Sequence, residues 1–327
     1  MNKARLGAVV IAAVLALPAS CLLAVPASAT QLTGSHATAG PTPAVGHFSK
    51  INVPGGKQVQ PEGINDSGVI VGCYQARTSQ RAFIDRHGKV STFADPAVKG
   101  KHGVTCAFGV DDAGVIVGYY QSAGATRHGF VYRNGKFRSI TAPAAGKRAS
   151  QGTVPAGINS SGVIVGFYIA GPVYTQRGFE LSKGKFSTVH VPLSPHSHPL
   201  ATAINGVADD GTISGLTDTT GGLHSFIDRA GSFTTIAVPH GFGTVIDCIS
   251  EHGGFAVGTF QPTKKPSGTS IGFTYRAGVY HSLRDPSAPR GTIPQCGNAA
   301  GLVVGYLVNS RGATSGGFLF TPAKPAG

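Results

Sequence analysis

The chain has no tryptophan and a single methionine, the initiator, among its 327 residues. Charged residues are sparse as well, at 13%. A core must therefore be assembled from Val, Ile and Phe. No stretch places apolar residues at helical spacing, which excludes helical repeats and leaves no helix for a DNA groove. Basic residues are not interleaved with aromatics as in a base-stacking platform, so sequence-specific nucleic acid is excluded as a partner. No cofactor fingerprint is present. Acidic residues are the scarce sign, 14 Asp and Glu against 27 Lys and Arg, for a formal net charge of +13.

What the chain does have is a repeat. Gly46, Gly88, Gly135, Gly184, Gly231 and Gly278 each stand eight residues before Pro54, Pro96, Pro143, Pro192, Pro239 and Pro286. Self-similarity at a period of 42 to 49 residues governs the architecture before any local feature. Each unit reads as four short strands. The first carries a Thr column (Thr105, Thr153, Thr202, Thr244, Thr292, with Val59 in unit one). A turn such as GINDSG (63–68) or GVDDAG (109–114) follows, where Asx side chains bond nearby backbone and Gly accepts positive φ.

The second strand, VIVGCY (69–74) in unit one, is β-branched and aromatic, as a buried strand requires. Its central Gly (Gly72, Gly118, Gly166, Gly215, Gly258, Gly305) implies close approach by a neighbour. The third centres on Phe83, Phe130, Phe179, Phe226, Phe273 and Phe318. The Gly column then turns into a fourth strand that Pro ends. Unit six lacks its fourth strand, and GHFSKINVP (46–54) supplies it from the front. A linear solenoid has no reason to split a unit in this way, whereas a closed ring does. The expectation is an all-β, six-bladed β-propeller of four-stranded blades over 46–323, closed by strand 46–54, with a short tail at 324–327.

Residues 1–29 read as a secretory signal, with Lys3 and Arg5, an apolar run from Leu6 to about Val25, and Ala27-Ser28-Ala29 before the cleavage site. An uncleaved membrane anchor is the alternative. Pro18 makes a poor lipoprotein box around Cys21. Residues 30–45 read as a linker. After Cys21 four cysteines remain, an even number in an exported chain. Of three possible pairings, position favours Cys73 with Cys106 and Cys248 with Cys296; unpaired buried thiols are the alternative.

Sorting charge by propeller face concentrates it on one side. The loops between units and between second and third strands carry Lys57, Lys99, Lys101, Arg127, Lys147, Arg148, Lys264, Lys265 and Arg290, with Asp218 the clear acidic loop residue. On the opposite, turn face acids and bases balance. A field of one sign around a channel mouth concentrates anions, so the predicted binding face is Lys57, Lys99, Lys101, Lys147, Arg148, Lys264, Lys265 and Arg290. Simple solubility is the alternative role for such loops.

Other motifs point less clearly. Gly268-Thr269-Ser270-Ile271-Gly272 spells G-x-S-x-G but leads into a strand, not the helix of a nucleophile elbow. His196 and His198 are candidate metal ligands without a third nearby. The Asx turns lack the alternating oxygens of a calcium loop. Glu62 and Asp247 share a column just before the turn and are the candidates for acid–base work. They fall in units one and five, which are not neighbours.

The pattern T-x-x-x-G-I-N-x-x-G-x-I-V-G-x-Y, then H-G-F and G-x-F-x-x-I-x-x-P, resembles the bacterial extracellular family named after its His-Ala-Phe (HAF) repeats. It appears as His128-Gly129-Phe130, Arg81-Ala82-Phe83 and His224-Ser225-Phe226, and the likeness spans about 46 to 321. Units five and six depart from it by losing the leading Gly of the turn. The resemblance implies export and a propeller-like fold, and supplies no catalytic residues. The function expected is a monomeric, secreted, non-catalytic binding propeller for an anionic extracellular glycan, wall polymer or surface protein. The alternatives are a propeller lyase or hydrolase acting at the channel mouth, and a structural surface protein.

Overall fold

The computed structural model describes residues 40–171, 175–192, 199–219, 222–263 and 269–323. The expected signal peptide, most of the linker and the tail lie outside them. The described residues are all β, without a helix, and the strands are arranged as a propeller.

First strands are Lys57–Ile64, Val104–Val110, Gly152–Ile158, Pro199–Val207, Phe242–Ile249 and Gly291–Gly297. Second strands are Val69–Gln75, Ile116–Gln121, Ile164–Ala170, Ile213–Thr219, Ala256–Gln261 and Val303–Val308. Third strands are Gln80–Arg86, His128–Arg133, Thr175–Ser182, Gly222–Arg229, Ile271–Arg276 and Thr314–Pro322. Fourth strands are Lys89–Phe93, Lys136–Ile140, Lys185–Thr188, Ser232–Ile236 and Val279–Leu283, and Gly46–Ile51 pairs antiparallel with the third strand of unit six.

The sheets number five rather than six. One parallel pair, Gln80 with Val104, bridges units one and two and makes their strands a single eight-stranded sheet. Unit five gains an outer strand, because Thr42–Pro43 pairs in parallel with Val279–Leu283 and Thr42 Oγ1 lies 2.9 Å from His281 Nδ1. The end of the expected linker is thereby held to a sheet edge.

Three sequence columns explain the packing. The Phe column is wholly buried and fills the space between sheets. At the second-strand glycines the backbones meet: a Cβ on Gly72 or Gly118 would run into the carbonyl oxygen of Gln60 or Cys106. The Thr column ties each unit to the next. Thr105, Thr153, Thr244 and Thr292 accept, through Oγ1, the N–H of the residue before the Pro column (Asp95, Ala142, Val238 and Asp285) at 2.8–3.1 Å.

Two disulfides add covalent ties. Cys73–Cys106 links units one and two, and Cys248–Cys296 links the first strands of units five and six, with Cα atoms 4.9 and 5.0 Å apart.

Candidate functional site

Every first strand slips register against its partner near its end, and three of them slip near the start as well. The slips near the end fall between Pro61 and Gly63, Ala107 and Gly109, Pro155 and Gly157, Ile204 and Gly206, Ile246 and Cys248, and Pro294 and Cys296. The residue inserted at each bulge is Glu62, Phe108, Ala156, Asn205, Asp247 or Gln295. A bulge leaves its extra residue unpaired and re-aims it. All six line one axial cavity of about 50 Å³, whose wall also includes Ser250 and Glu251. The column that carries Glu62 and Asp247 thus lines this cavity.

This placement brings together two carboxyls that sequence position kept apart. Burial pushes the Glu62 pKa well above the usual carboxylate range, and the charge of Asp247 raises it further. Burial alone does the same to Asp247. Glu62 retains some solvent contact because it faces the cavity, while protein surrounds it on every side. Two such groups in a low-dielectric space resist ionising together. Around them, burial raises Tyr306, with Glu62 and Asp247 adding to it. Tyr119 is raised by burial, and its neighbours Arg127 and Glu62 act in opposite directions. The Glu62 carboxyl also lies within 4.8 Å of the Cys73 and Cys106 sulfurs, which are consumed in a disulfide and offer no thiolate to a metal.

A cavity of about 50 Å³ holds a few water molecules, not a sugar ring. The space beside the buried pair is too small for a ring of a polymeric substrate.

The basic residues divide by location. Lys99, Lys101, Lys147 and Arg148 are exposed on loops that hydrogen bonds join into a continuous band. His102 N–H donates to Thr78 O, Lys99 N–H to Ser122 Oγ, Thr126 Oγ1 to Lys147 O and Ser150 N–H to Ala125 O. Lys57 is exposed at the start of its strand. Arg290 belongs to a separate loop pair, where Ser270 N–H donates to its carbonyl and Nη1 reaches Ser310 O at 3.5 Å. Lys264 and Lys265 lie outside the described residues, as do His196 and His198.

Arg127, expected on the basic face, is instead 7% exposed, with its guanidinium carbon 5.7 Å from the Tyr119 ring centre. Its backbone bonds to Gln151 and Thr153 on the next unit, which lays the side chain inside, and burial lowers its pKa. Ser270 leads straight into the strand Ile271–Arg276, so no nucleophile elbow forms.

The Asx turns do more than cap. Asn65, Asn159 and Asn298 accept, through Oδ1, the N–H four residues on, at 2.8–3.1 Å. Their Nδ2 groups donate across units to Asp111 O, Ala208 O and Asn65 O, at 3.0, 2.9 and 3.1 Å. Sequence reasoning found the cap and missed the bridge, although the choice of Asn over Asp was its signal.

No helix among the described residues is long and apolar enough to cross a membrane. No protein-family model matches the chain, and no curated protein matches it. Among solved structures, a lectin from Aleuria aurantia in complex with Fucα1-6GlcNAc is similar over 85% of this chain and 100% of its own, at 14% identity and a TM-score of 0.47. A gluconolactonase from Xanthomonas campestris is similar over 88% of this chain and 99% of its own, at 12% identity and a TM-score of 0.44. Likeness at this level assigns neither a ligand nor a reaction to the chain.

Proposed function

We propose that this protein is a secreted, non-catalytic binding propeller whose basic loop band holds an anionic extracellular polymer. The observation that carries this is the band itself: Lys99, Lys101, Lys147 and Arg148 are exposed on interlocked loops, and none pairs with a carboxylate among the described residues. Unneutralised cations on a fixed surface give a long anionic chain several simultaneous contacts.

The finer architecture belongs to the same proposal. The six units are six blades of a closed ring, a member of the HAF-repeat family acting as a monomer outside the cell. Closure is supported at the seam between the last unit and the first, where Asn298 Nδ2 donates to Asn65 O and Ala299 N–H donates to Asp66 Oδ1 at 2.8 Å. Export is supported by the two disulfides, which persist in oxidising compartments.

A second role, as a lyase or hydrolase, rests on Glu62 and Asp247, and the small cavity around them weighs against it.

The test is binding of the mature domain to purified cell-wall polymer and to an acidic polysaccharide across a salt series. Affinity should fall with salt, and replacing Lys99, Lys101, Lys147 and Arg148 together by Ala should weaken it about tenfold or more at low salt. No binding at low salt would overturn the proposal.

A further inference from the structure

The turn side of the axial cavity holds a feature that the basic band leaves unexplained. Glu251, in the turn between the first and second strands of unit five, is 7% exposed, and neither of its carboxylate oxygens has a hydrogen-bond partner. Ser250 Oγ beside it is also buried without a partner, and both residues line the cavity. Buried carboxylates normally collect donors. Here the groups that face Glu251 are acceptors: Asp66 from unit one, Asp112 from unit two and Asp209 from unit four.

One ligand oxygen each from Asp66, Asp112 and Glu251 lie within 4.8 Å of one another. Calcium binds oxygens at 2.3–2.6 Å, so ligands on opposite sides of one ion stand about 4.6–5.2 Å apart. The three groups therefore fit around a single ion of that size. The donors are all hard oxygens, which disfavours the softer transition metals. The two aspartates are also held in place. Asp66 Oδ1 accepts from Ala299 N–H at 2.8 Å, and Asp112 Oδ1 accepts from Asp66 N–H and Ser67 N–H at 3.1 and 3.3 Å. Each keeps its second oxygen, and that of Asp66 has no hydrogen bond, only the exposed His252 imidazole at 3.3 Å.

We propose that Asp66, Asp112 and Glu251 form a calcium site that joins the turns of units one, two and five across the end of the axial cavity. The single-loop pattern of a calcium-binding hairpin is absent because the ligands come from three separate units, each giving one carboxylate. Burial, then Asp112, Asp209 and Asp66, push Glu251 up to about 8, and only in protonated form can it donate to Asp112. Arg229, the nearby arginine, is engaged with Gly253 O at 3.3 Å.

The experiment is calorimetric titration of the mature chain with CaCl2 and with MgCl2 at pH 6.5 and 8.5, alongside thermal unfolding followed by circular dichroism. One calcium ion per chain should bind, raise the unfolding temperature, and be lost in Glu251→Gln and Asp112→Asn. Asp228→Asn, a carboxylate elsewhere on this face, should leave it intact. Should either variant fail to fold, the wild type decides instead, with one calcium ion bound per chain and a raised unfolding temperature that EDTA reverses. Two results would overturn the proposal. One is the absence of heat or stabilisation at millimolar calcium and pH 8.5. The other is binding that Glu251→Gln and Asp112→Asn do not change.

Discussion

At the scale of single residues, hydrogen-bonding capacity decides which of two similar side chains the fold uses. Asn159 caps its turn with Oδ1 and reaches the next unit with Nδ2. Asp111 occupies the same column in unit two, keeps the cap to Val115 N–H at 2.8 Å, and has no donor to pass on. Its pKa is raised, chiefly by burial, so its carboxylate is poorly placed as a charge. Asn159→Asp should therefore destabilise the protein by about 1–2 kcal/mol, and Asp111→Asn should stabilise it by about 1 kcal/mol through a new bond to unit three. Urea unfolding of both variants checks this, and equal midpoints would refute the bridging role. The cap could be read from N-D-S and N-S-S in the sequence. The bridge could not, because its acceptor lies more than forty residues away and only packing brings it near.

At the scale of elements, hairpin turns and bulges set what each strand presents. The turn before each fourth strand has two residues at positive φ: His87 and Gly88, Asn134 and Gly135, Lys183 and Gly184, Ala230 and Gly231, Ala277 and Gly278. That is the type I′ geometry, whose twist matches the flanking strands. Gly in the second place carries no penalty, but Ala277 in the first holds a left-handed conformation that costs a β-carbon about 1 kcal/mol. Ala277→Asn should recover about 0.5–1 kcal/mol, seen as a raised urea midpoint with unchanged slope; a lowered midpoint would contradict the turn assignment. The Gly column made the turns legible. The bulges were hidden, since one extra residue per first strand leaves no mark on composition, yet they alone turn Glu62 and Asp247 toward the axis.

At the scale of the whole molecule, the axis gathers buried acids and the loop side exposes bases. Glu62 and Asp247 are raised well above their model-peptide values, and Glu251 to about 8. A carboxyl whose pKa is higher folded than unfolded contributes stability below the unfolded value and loses it as pH rises through the folded one. The unfolded values are near 4, so for Glu251 the loss runs from about pH 4 to about pH 8, and Glu62 and Asp247 add to it in the same direction. In EDTA, the unfolding temperature should therefore fall by about 3 °C or more between pH 5.5 and 8.5. Glu251→Gln should flatten part of that slope. A temperature that rises over this interval would show that these carboxyls are solvated.

The sequence by itself determined the repeat, the four-strand unit, the buried Phe column and the displaced strand 46–54, because each depends on local periodicity or on turn chemistry. Its charge pattern also located Lys99, Lys101, Lys147 and Arg148 on loops of one kind. Tertiary structure decided what meets what. It joined units one and two through Gln80 and Val104, drew Arg127 inside, and placed acids from distant units around one axis. The physical reason is that strands specify their own pleat and turn, whereas contact between units depends on how whole sheets stack. A carboxylate's environment is set by neighbours that sequence distance does not record.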